Sequence, residues 1–273
     1  MARTVRVIQL QPSATDERSA PIPLNLPGFS TRLGQIEATQ LDENSVILVP
    51  DMYIDDPDDS VDARWRGERG SWDCWKTTVI YEQIGKTHPH LVPQIGIYAA
   101  CPVLAKPSGP PVADFVQQSR AAMYSTPIDA VYSRILASNR PLIYQWALHP
   151  ISGLSFIHAH DIVFGDLDLR QCWLSSDSHL SLSLVGFVHA GFRRSTDGAW
   201  YDGRQTNAAW FHPLEHQSNS TTQTDLFLYG CVVYELITGA WPGDRLVSST
   251  GIEHVVNCVV YCATGTEIYI SAG

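Results

Sequence analysis

The sequence predicts an α+β fold whose amino-terminal part is rich in strands and whose carboxy-terminal part is mainly helical. Short runs of β-branched and aliphatic residues at 5–10, 45–49 and 93–104 are typical of strands. Apolar residues recur at helical spacing on one face of residues 141–160. Residues 222–238 are apolar on almost every helical face, so we expect this stretch to be a buried central helix.

Length and composition favour one compact domain with two lobes, or two small domains. The 273 residues are 44% hydrophobic and 17% charged, which is far from the composition of disordered chains. The formal net charge of −10 argues against nucleic acid or an anionic membrane as a partner, because either would need a basic surface. Six cysteines without a CxxC pair indicate reduced thiols in a cytoplasmic or nuclear protein, and residues 1–14 lack the apolar core of a secretory signal.

The amino-terminal half is predicted to hold strands, one helix and an insertion. Two glycines six positions apart, Gly28 and Gly34, are expected to lie in a surface turn. Residues 51–75, with five aspartates between Asp55 and Asp62, have the composition of a solvated loop insertion and lack the alternating ligands and central glycine of a calcium loop. A helix is predicted at 76–85, followed by a turn at 88–92, strands at 93–104, a linker at 106–111 and a short helix at 112–116.

A longer helix is predicted at 141–160. Pro150 lies inside it, and an interior proline costs about 3 kcal/mol unless the helix accommodates a kink. His158 and His160 are expected to close this helix and not to bind a metal.

The central helix has clear signals at both ends. Thr222 is the expected amino-terminal cap, with Asp225 three residues later, and Gly239 suits a left-handed stop. Pro242 prevents the helix from resuming.

Several segments resemble protein kinases. The spacing from Asp225 through Gly230 and Glu235 to Gly239 is that of the family's F helix, and residues 162–174 (IVFGDLDLRQCWL) match the frame of its catalytic loop. Residues 180–187 match the strand pair that ends at the DFG motif, and residues 88–92 match the turn after the C helix. The resemblance, which is closest to divergent fungal kinase-like proteins, implies a two-lobed protein-kinase-like fold. It divides the chain into an N-lobe at 1–105, with the insertion at 51–75, and a C-lobe at 106–273 that is truncated after the F helix.

The resemblance also implies roles for particular residues. Asp225 would anchor the backbone of the catalytic loop and is therefore expected to be structural. Asp166 stands at the position of the catalytic base. Glu215 lies in the segment that resembles the family's APE motif and would pair with an arginine of the C-lobe, for which Arg245 is a candidate.

Most of the other residues that bind Mg-ATP in the family are replaced. Asp168 stands in place of the lysine that contacts the γ-phosphate, Gln171 in place of the Asn that holds Mg²⁺, and Gly186 in place of the DFG aspartate. Leu48 lies near the position of the family's third-strand lysine, and Thr77 lies near that of the C-helix glutamate. Phe164 and Gly165 replace the His and Arg of the catalytic loop.

A shifted alignment does not restore these groups. No lysine precedes Lys76, and no Asp, Glu or Asn lies between Asp177 and Asp197. No asparagine follows Asp166 until Asn207.

These replacements predict weak or absent ATP binding. Two carboxylates in the cleft, Asp166 and Asp168, would each repel a phosphate oxygen by roughly 4 kcal/mol at about 4 Å and an effective dielectric near 20. Arg170 is expected to face solvent. We therefore expect no cofactor and no metal, with ATP and Mg²⁺ bound only if the chain is an active kinase.

Four residues of the segment after 187 are possible phosphorylation sites. Because Gly165 replaces the arginine that would receive such a phosphate, switching by this route is not expected. The four residues are Ser195, Thr196, Tyr201 and Thr206.

Two other patterns fit metal sites. Residues 212–216 match the H-x-x-E-H pattern of some zinc peptidases, but His212-Pro213 can only begin a helix, so we treat this as a chance match. A second set of possible ligands, four residues apart, is more often a buried thiol cluster: His254, Cys258 and Cys262.

Three hypotheses for function follow. The first is a pseudokinase, a binding or scaffolding module that needs a protein partner. The second is an active ATP-dependent serine/threonine kinase that uses Asp166 as its base. The third is a truncated product with no function of its own.

Overall fold

The structure is a computed structural model, and it describes residues 36–50, 61–85, 87–98, 101–125, 135–177, 179–203 and 221–241. Several sequence predictions lie outside these residues and stay predictions: the strand at 5–10, the turn at 28–34, the H-x-x-E-H pattern, and the assignments for Thr206, Glu215, Arg245, His254, Cys258 and Cys262.

The amino-terminal lobe is built on a four-stranded antiparallel sheet. Its strands are β1 (Ile36–Asp42), β2 (Ser45–Pro50), β3 (Gln94–Tyr98) and β4 (Cys101–Ala105), in the order β1-β2-β4-β3. The strands predicted at 45–49 and 93–104 are thereby confirmed.

Strand β1 was not predicted. Only two of its residues, Ile36 and Ala38, are apolar and point into the core, so its alternating pattern is short. A tight turn joins β1 to β2, in which the backbone N–H of Asn44 donates to Asp42 (2.8 Å). This Asx-type turn is the sequence signal that would have indicated a hairpin here.

Helix α1 (Val61–Ile84) packs against this sheet and is much longer than predicted. The expectation of a loop throughout 51–75 is wrong for residues 61–75, which form the first half of the helix. The buried positions Asp73, Lys76 and Ile80 follow helical spacing, but two of the three are charged. Because charged residues occupy core positions, the hydrophobic periodicity that reveals a helix is hidden.

The carboxy-terminal lobe begins with short helices and the long helix α4. Helices α2 (Val112–Gln118) and α3 (Arg120–Met123) come first, and a 3-10 turn at Ala137–Asn139 leads into α4 (Arg140–His158). Helix α4 runs through Pro150, which is buried. The proline removes one backbone donor from the helix.

Two small sheets follow α4. Strand β5 (Ile162–Val163) pairs with β8 (Gly191–Arg193), which pairs with β9 (Trp200–Tyr201). Between them, β6 (Cys172–Leu174) and β7 (Leu182–Leu184) form an antiparallel hairpin. The segment between β5 and β6 is therefore held at both ends by strands.

Helix α5 (Thr222–Thr238) is the predicted central helix, and its buried residues join the larger apolar core. Its cap is one residue earlier than predicted: Thr221, not Thr222, forms a reciprocal capping box with Thr224. Gly239 ends the helix at φ 68°, as expected. The burial is less complete than the sequence predicts, because Leu226 is exposed. Four other apolar or aromatic residues of the helix are half-buried: Tyr229, Val233, Tyr234 and Ile237. Among the described helices, none has the length and apolarity needed to span a bilayer.

Candidate functional site

The loop between β5 and β6 is anchored by a buried carboxylate. Asp225, at the start of α5, accepts hydrogen bonds from the backbone N–H groups of Phe164 (2.7 Å) and Gly165 (2.8 Å). Its Oδ2 also contacts Nε2 of His158 (2.8 Å), a side chain that the sequence assigned only to the end of α4. The carboxylate therefore ties the end of α4 and the loop backbone to α5.

Asp166 follows this anchored segment and is largely buried. Its Oδ2 lies 3.9 Å from Nε2 of His189. His189 was not predicted as a site residue, because a single histidine after the apolar β7 segment matches no motif. The contact arises only because β7 turns back beside the loop.

Asp168 is paired within the loop. Its carboxylate accepts hydrogen bonds from the backbone N–H of Arg170 (2.7 Å) and from its guanidinium Nε (2.8 Å), with a further contact from Nη2. The side chain of Arg170 is exposed, as expected, but its charge is directed at Asp168. Although burial lowers the pKa of Arg170, its hydrogen bonds to Asp168 and the nearby carboxylates outweigh this effect and raise that pKa. The repulsion of a phosphate oxygen that the sequence predicts is therefore stronger for Asp166 than for Asp168, because Arg170 offsets the charge of Asp168.

Gln171 is used to close the loop. Its side-chain oxygen accepts the backbone N–H of Asp168 (2.8 Å), and its own carbonyl accepts the N–H of Val185 (3.0 Å). The side-chain oxygen of Gln171, which could face a metal, thus accepts a hydrogen bond from the backbone. Gly186, the next residue in β7's extension, has no side-chain ligand to offer and adopts a left-handed φ of 69°.

Apolar side chains of the sheet and of the β6–β7 hairpin belong to one buried cluster. Leu48 of β2 is fully buried, and Trp173 of β6 packs into the same cluster from the other lobe. Val185 and Val188, on either side of Gly186, complete that wall. The remaining members of this inter-lobe cluster are Ile36, Ala38, Val46, Cys74, Val92 and Leu104.

Helix α1 contacts the backbone of Leu48 through an uncharged side chain. Cys74 lies over this strand, and its thiol donates to the Leu48 carbonyl (3.4 Å). Thr77 is buried, and its hydroxyl donates to the carbonyl of Asp73 (2.8 Å) one turn earlier.

A fully buried ion pair lies on α1, and the sequence analysis missed it. Nζ of Lys76 is 3.4 Å from Oδ1 of Asp73. Burial lowers the pKa of Lys76 and raises that of Asp73, and the attraction between the two charges opposes both shifts. The other charges that act on Lys76 belong to Arg69 and Asp202, so this lysine faces the segment after β9 and not Asp166 or Asp168.

A cavity of about 350 Å³ opens on the outer side of the loop. The carboxylate-bearing residues Asp166, Asp168 and Glu235 line it, together with one cation, Arg170. Its apolar wall is formed by Ala113, Leu167, Leu169, Leu228 and Trp241. With three acidic residues and one basic residue, the cavity is suited to a cationic group.

Two further observations concern ligands and modification. Within the described ranges, no group of three or more His, Cys, Asp or Glu residues is arranged to hold a metal ion. Ser195 and Thr196 are exposed in the turn between β8 and β9, whereas Tyr201 is half-buried beneath Arg194 (5.0 Å from the guanidinium carbon to the ring centre).

A comparison with known protein families finds a match for most of the described carboxy-terminal part. A family model described as "Protein tyrosine and serine/threonine kinase" matches residues 81–263, which is more than half of the chain. No curated protein matches the sequence significantly.

Proposed function

Because this chain belongs to the protein tyrosine and serine/threonine kinase family, we propose that it is a pseudokinase, a binding or scaffolding module with weak or no ATP binding. The family resemblance expected from the F helix and the catalytic-loop frame is confirmed, and so is the α+β kinase-like fold. The proposal concerns what this scaffold does.

The observation that carries the proposal is the inter-lobe cluster. An active kinase holds its nucleotide between a lysine of the third strand and the metal ligands of the catalytic loop and DFG motif. The corresponding residues here are Leu48, Gln171 and Gly186. Leu48 and Trp173 belong to one buried apolar cluster that joins the sheet to the β6–β7 hairpin. Burial of one such side chain stabilises the protein by about 1.5–3 kcal/mol. Opening the cleft for a nucleotide would expose several of these side chains at once and would lose this stabilisation for each.

The donor set also does not fit Mg²⁺. Magnesium prefers carboxylate and phosphate oxygens in octahedral geometry. Gly186 provides no oxygen from a side chain, and the side-chain oxygen of Gln171 is hydrogen-bonded to the Asp168 backbone. We therefore do not expect these two positions to hold Mg²⁺ on a nucleotide.

The acidic cavity supports a protein partner with a basic side chain. Glu235 of α5 and Asp166 of the loop face the same 350 Å³ space, and their charges contribute to the raised pKa of Arg170. A guanidinium or ammonium group entering this space would meet negative potential with an apolar wall behind it. We propose that an Arg- or Lys-containing segment of a partner protein binds there.

A cytoplasmic or nuclear location is part of the same proposal. Of the cysteines that the structure describes, all four are free thiols: Cys74, Cys101, Cys172 and Cys231. Reduced thiols are typical of those compartments.

Nucleotide binding is tested by titrating Mg-ATP while following the melting temperature, together with an assay for transfer of the γ-phosphate. At 100 times the Kd a ligand stabilises a protein by about 2.7 kcal/mol, which shifts the melting temperature by several degrees. We expect no shift at millimolar Mg-ATP and no transfer. A clear shift with transfer that Asp166→Asn abolishes would overturn the pseudokinase assignment.

Partner binding is tested with a fluorescently labelled hexa-arginine peptide and a Gly-Ser peptide of the same length. Glu235→Gln removes one charge from the cavity. We expect it to weaken the binding free energy of the hexa-arginine peptide by about 1–1.4 kcal/mol, which is roughly fivefold to tenfold in Kd. Glu43→Gln, in the exposed turn between β1 and β2, removes one charge elsewhere. Equal weakening by both variants would mean general attraction to an acidic protein and would count against the cavity.

The alternative is an active kinase that uses Asp166 as base. The observation in its favour is that Asp166 is held on a loop whose backbone is fixed by Asp225, with His189 3.9 Å away. The transfer assay with Asp166→Asn decides between the two functions.

A further inference from the structure

A second cavity, which we call the junction cavity, lies where the sheet of the amino-terminal lobe meets the β6–β7 hairpin. It has a volume of about 390 Å³ and is formed by the turn at 87–93, the end of β4 with the linker that follows it, and the hairpin. Much of its lining is apolar and firmly packed, since Leu91, Val92 and Trp173 are each at most 6% exposed. This size and lining are typical of sites that bind small molecules.

Hydrogen bonds between distant segments hold the walls of the junction cavity in place. On one side the backbone N–H of Ala105 donates to the carbonyl of Pro93 (2.9 Å). On the other side the backbone N–H of Ser176 donates to the hydroxyl oxygen of Ser108 (3.0 Å), which ties the linker to the hairpin. The cavity is therefore formed before any ligand arrives, and binding does not have to order its walls.

The polar groups that line the junction cavity are hydrogen-bond donors. The ammonium group of Lys106 donates to the neutral amide oxygen of Gln40 (3.3 Å), and none of the ion pairs within the described ranges includes this lysine. Nδ1 of His88 accepts the backbone N–H of His90 (3.2 Å), and burial, followed by the charge of His90, lowers the pKa of His88. The neutral ring therefore carries its proton on Nε2, which is left to donate. The Ser108 hydroxyl, whose oxygen accepts a backbone N–H, likewise keeps its proton to donate.

The charge of the junction cavity is opposite to that of the acidic cavity. None of the described residues that line it is acidic, although the chain has a formal net charge of −10. The hydroxyl of Ser175, which also lines it, donates to the neighbouring Asp177 (2.6 Å) and is therefore not counted among the donors. An anionic group entering this space would meet one positive charge and two neutral donors in front of an apolar wall.

We propose that the junction cavity binds an amphipathic carboxylate, a small molecule with one anionic group and an apolar body. The carboxylate accepts hydrogen bonds from Lys106, His88 and Ser108, and the apolar body packs against the buried part of the lining. The described residues that line this cavity are distinct from those of the acidic cavity. The inference is therefore independent of the proposed protein partner.

The test is isothermal titration calorimetry of the whole 273-residue chain with sodium octanoate and with octan-1-ol. The two ligands have the same apolar body, and only octanoate is charged at pH 7. We expect octanoate to bind at a single site and roughly tenfold more tightly than octan-1-ol, because only the carboxylate forms charge-assisted hydrogen bonds. Glu235→Gln, in the acidic cavity, should leave octanoate binding unchanged, so this result is separable from the outcome for the partner site.

A pair of variants assigns the effect to the junction cavity. Lys106→Gln removes the charge from its rim and should weaken octanoate binding by roughly fivefold or more without affecting octan-1-ol. Arg140→Gln removes the same charge from an exposed position at the start of α4, outside this cavity, and should change neither ligand. The comparison of the two ligands on the wild-type protein needs no variant, so the proposal stays testable even if a substitution impairs folding.

Several results would overturn the proposal. Equal affinity for octanoate and octan-1-ol, equal weakening by the two variants, or binding of several octanoate molecules per chain would mean general attraction to charge or to apolar surface. Displacement of octanoate by Mg-ATP would place it in a nucleotide site. Lys106-dependent binding of a hexa-glutamate peptide, with no binding of octanoate, would assign the cavity to an acidic protein segment instead.

Discussion

Replacing Asp225 with alanine is expected to release the catalytic-loop segment and to lower stability strongly. The carboxylate is fully buried and accepts two backbone hydrogen bonds, from Phe164 and Gly165, and contacts His158. Hydrogen bonds to a charged group are worth about 1.5–3 kcal/mol each, and a buried donor left without a partner costs about 1–3 kcal/mol. Because the three contacts share one carboxylate, the losses do not add fully. We expect the free energy of unfolding to fall by about 3–5 kcal/mol.

Urea denaturation measures the loss, and hydrogen exchange locates it. In Asp225→Ala the amide protons of Phe164 and Gly165 should exchange much faster than in the wild-type protein, because their acceptor is gone. Asp225→Asn keeps one acceptor oxygen but turns an amide donor toward the second N–H, so its stability should lie between the two.

The matched control is Asp114→Ala, which removes an exposed carboxylate from the first turn of α2. A change within about 0.5–1 kcal/mol is expected there. If Asp225→Ala were no less stable than this control, or if the two loop amides kept their protection, the anchoring role assigned to Asp225 would be wrong.

Three other predictions concern the cleft, the linker and pH. Trp173→Ala should lower the free energy of unfolding by about 3–5 kcal/mol by leaving a hole in the inter-lobe cluster, seen as a lower urea midpoint with an unchanged slope. Gly109→Ala should cost about 1–3 kcal/mol in the same assay, since its Cβ would lie 2.6 Å from the Leu174 carbonyl oxygen; full stability would refute the close approach. Burial, and then the charge of His90, lower the pKa of His149 to about 4, so the unfolded chain binds a proton that the folded chain does not, and stability should fall as pH drops from about 6.5 to about 4. Urea titrations across this range should show a shallower fall in His149→Gln, and equal slopes would contradict the assignment.

Features that depend on neighbouring residues in the chain were predictable. The apolar run of α5, its glycine stop and the hairpin after the loop each depend on contacts within a few residues, so the pattern of residues reports them directly. The assignments of Gln171 and Gly186 came from their spacing relative to Asp166 in the resemblance, whereas that of Leu48 came from taking residues 45–50 as the family's third strand. These assignments stay predictions.

Features that depend on distant partners were not predictable. Residues 61–75 of α1 were assigned to a loop because aspartates and arginines dominate that part of the sequence. The helix packs on strands β2 and β4, and this contact between separate elements is not visible in the composition. His189 carried no signal of its own and gained a partner only from the return of the chain after β7.

By itself the sequence determined the kinase-like scaffold and which side chains stand where the family keeps its lysine and metal ligands, because identity and spacing are written directly in the order of residues. Only the tertiary structure decided what those replacements create. Leu48 and Trp173 are far apart in the chain, and their union in one buried cluster between the lobes depends on how the sheet packs over the hairpin. The gathering of Asp166 and Glu235 around one cavity has the same origin. Each is a contact between elements that only the fold brings within a few ångströms.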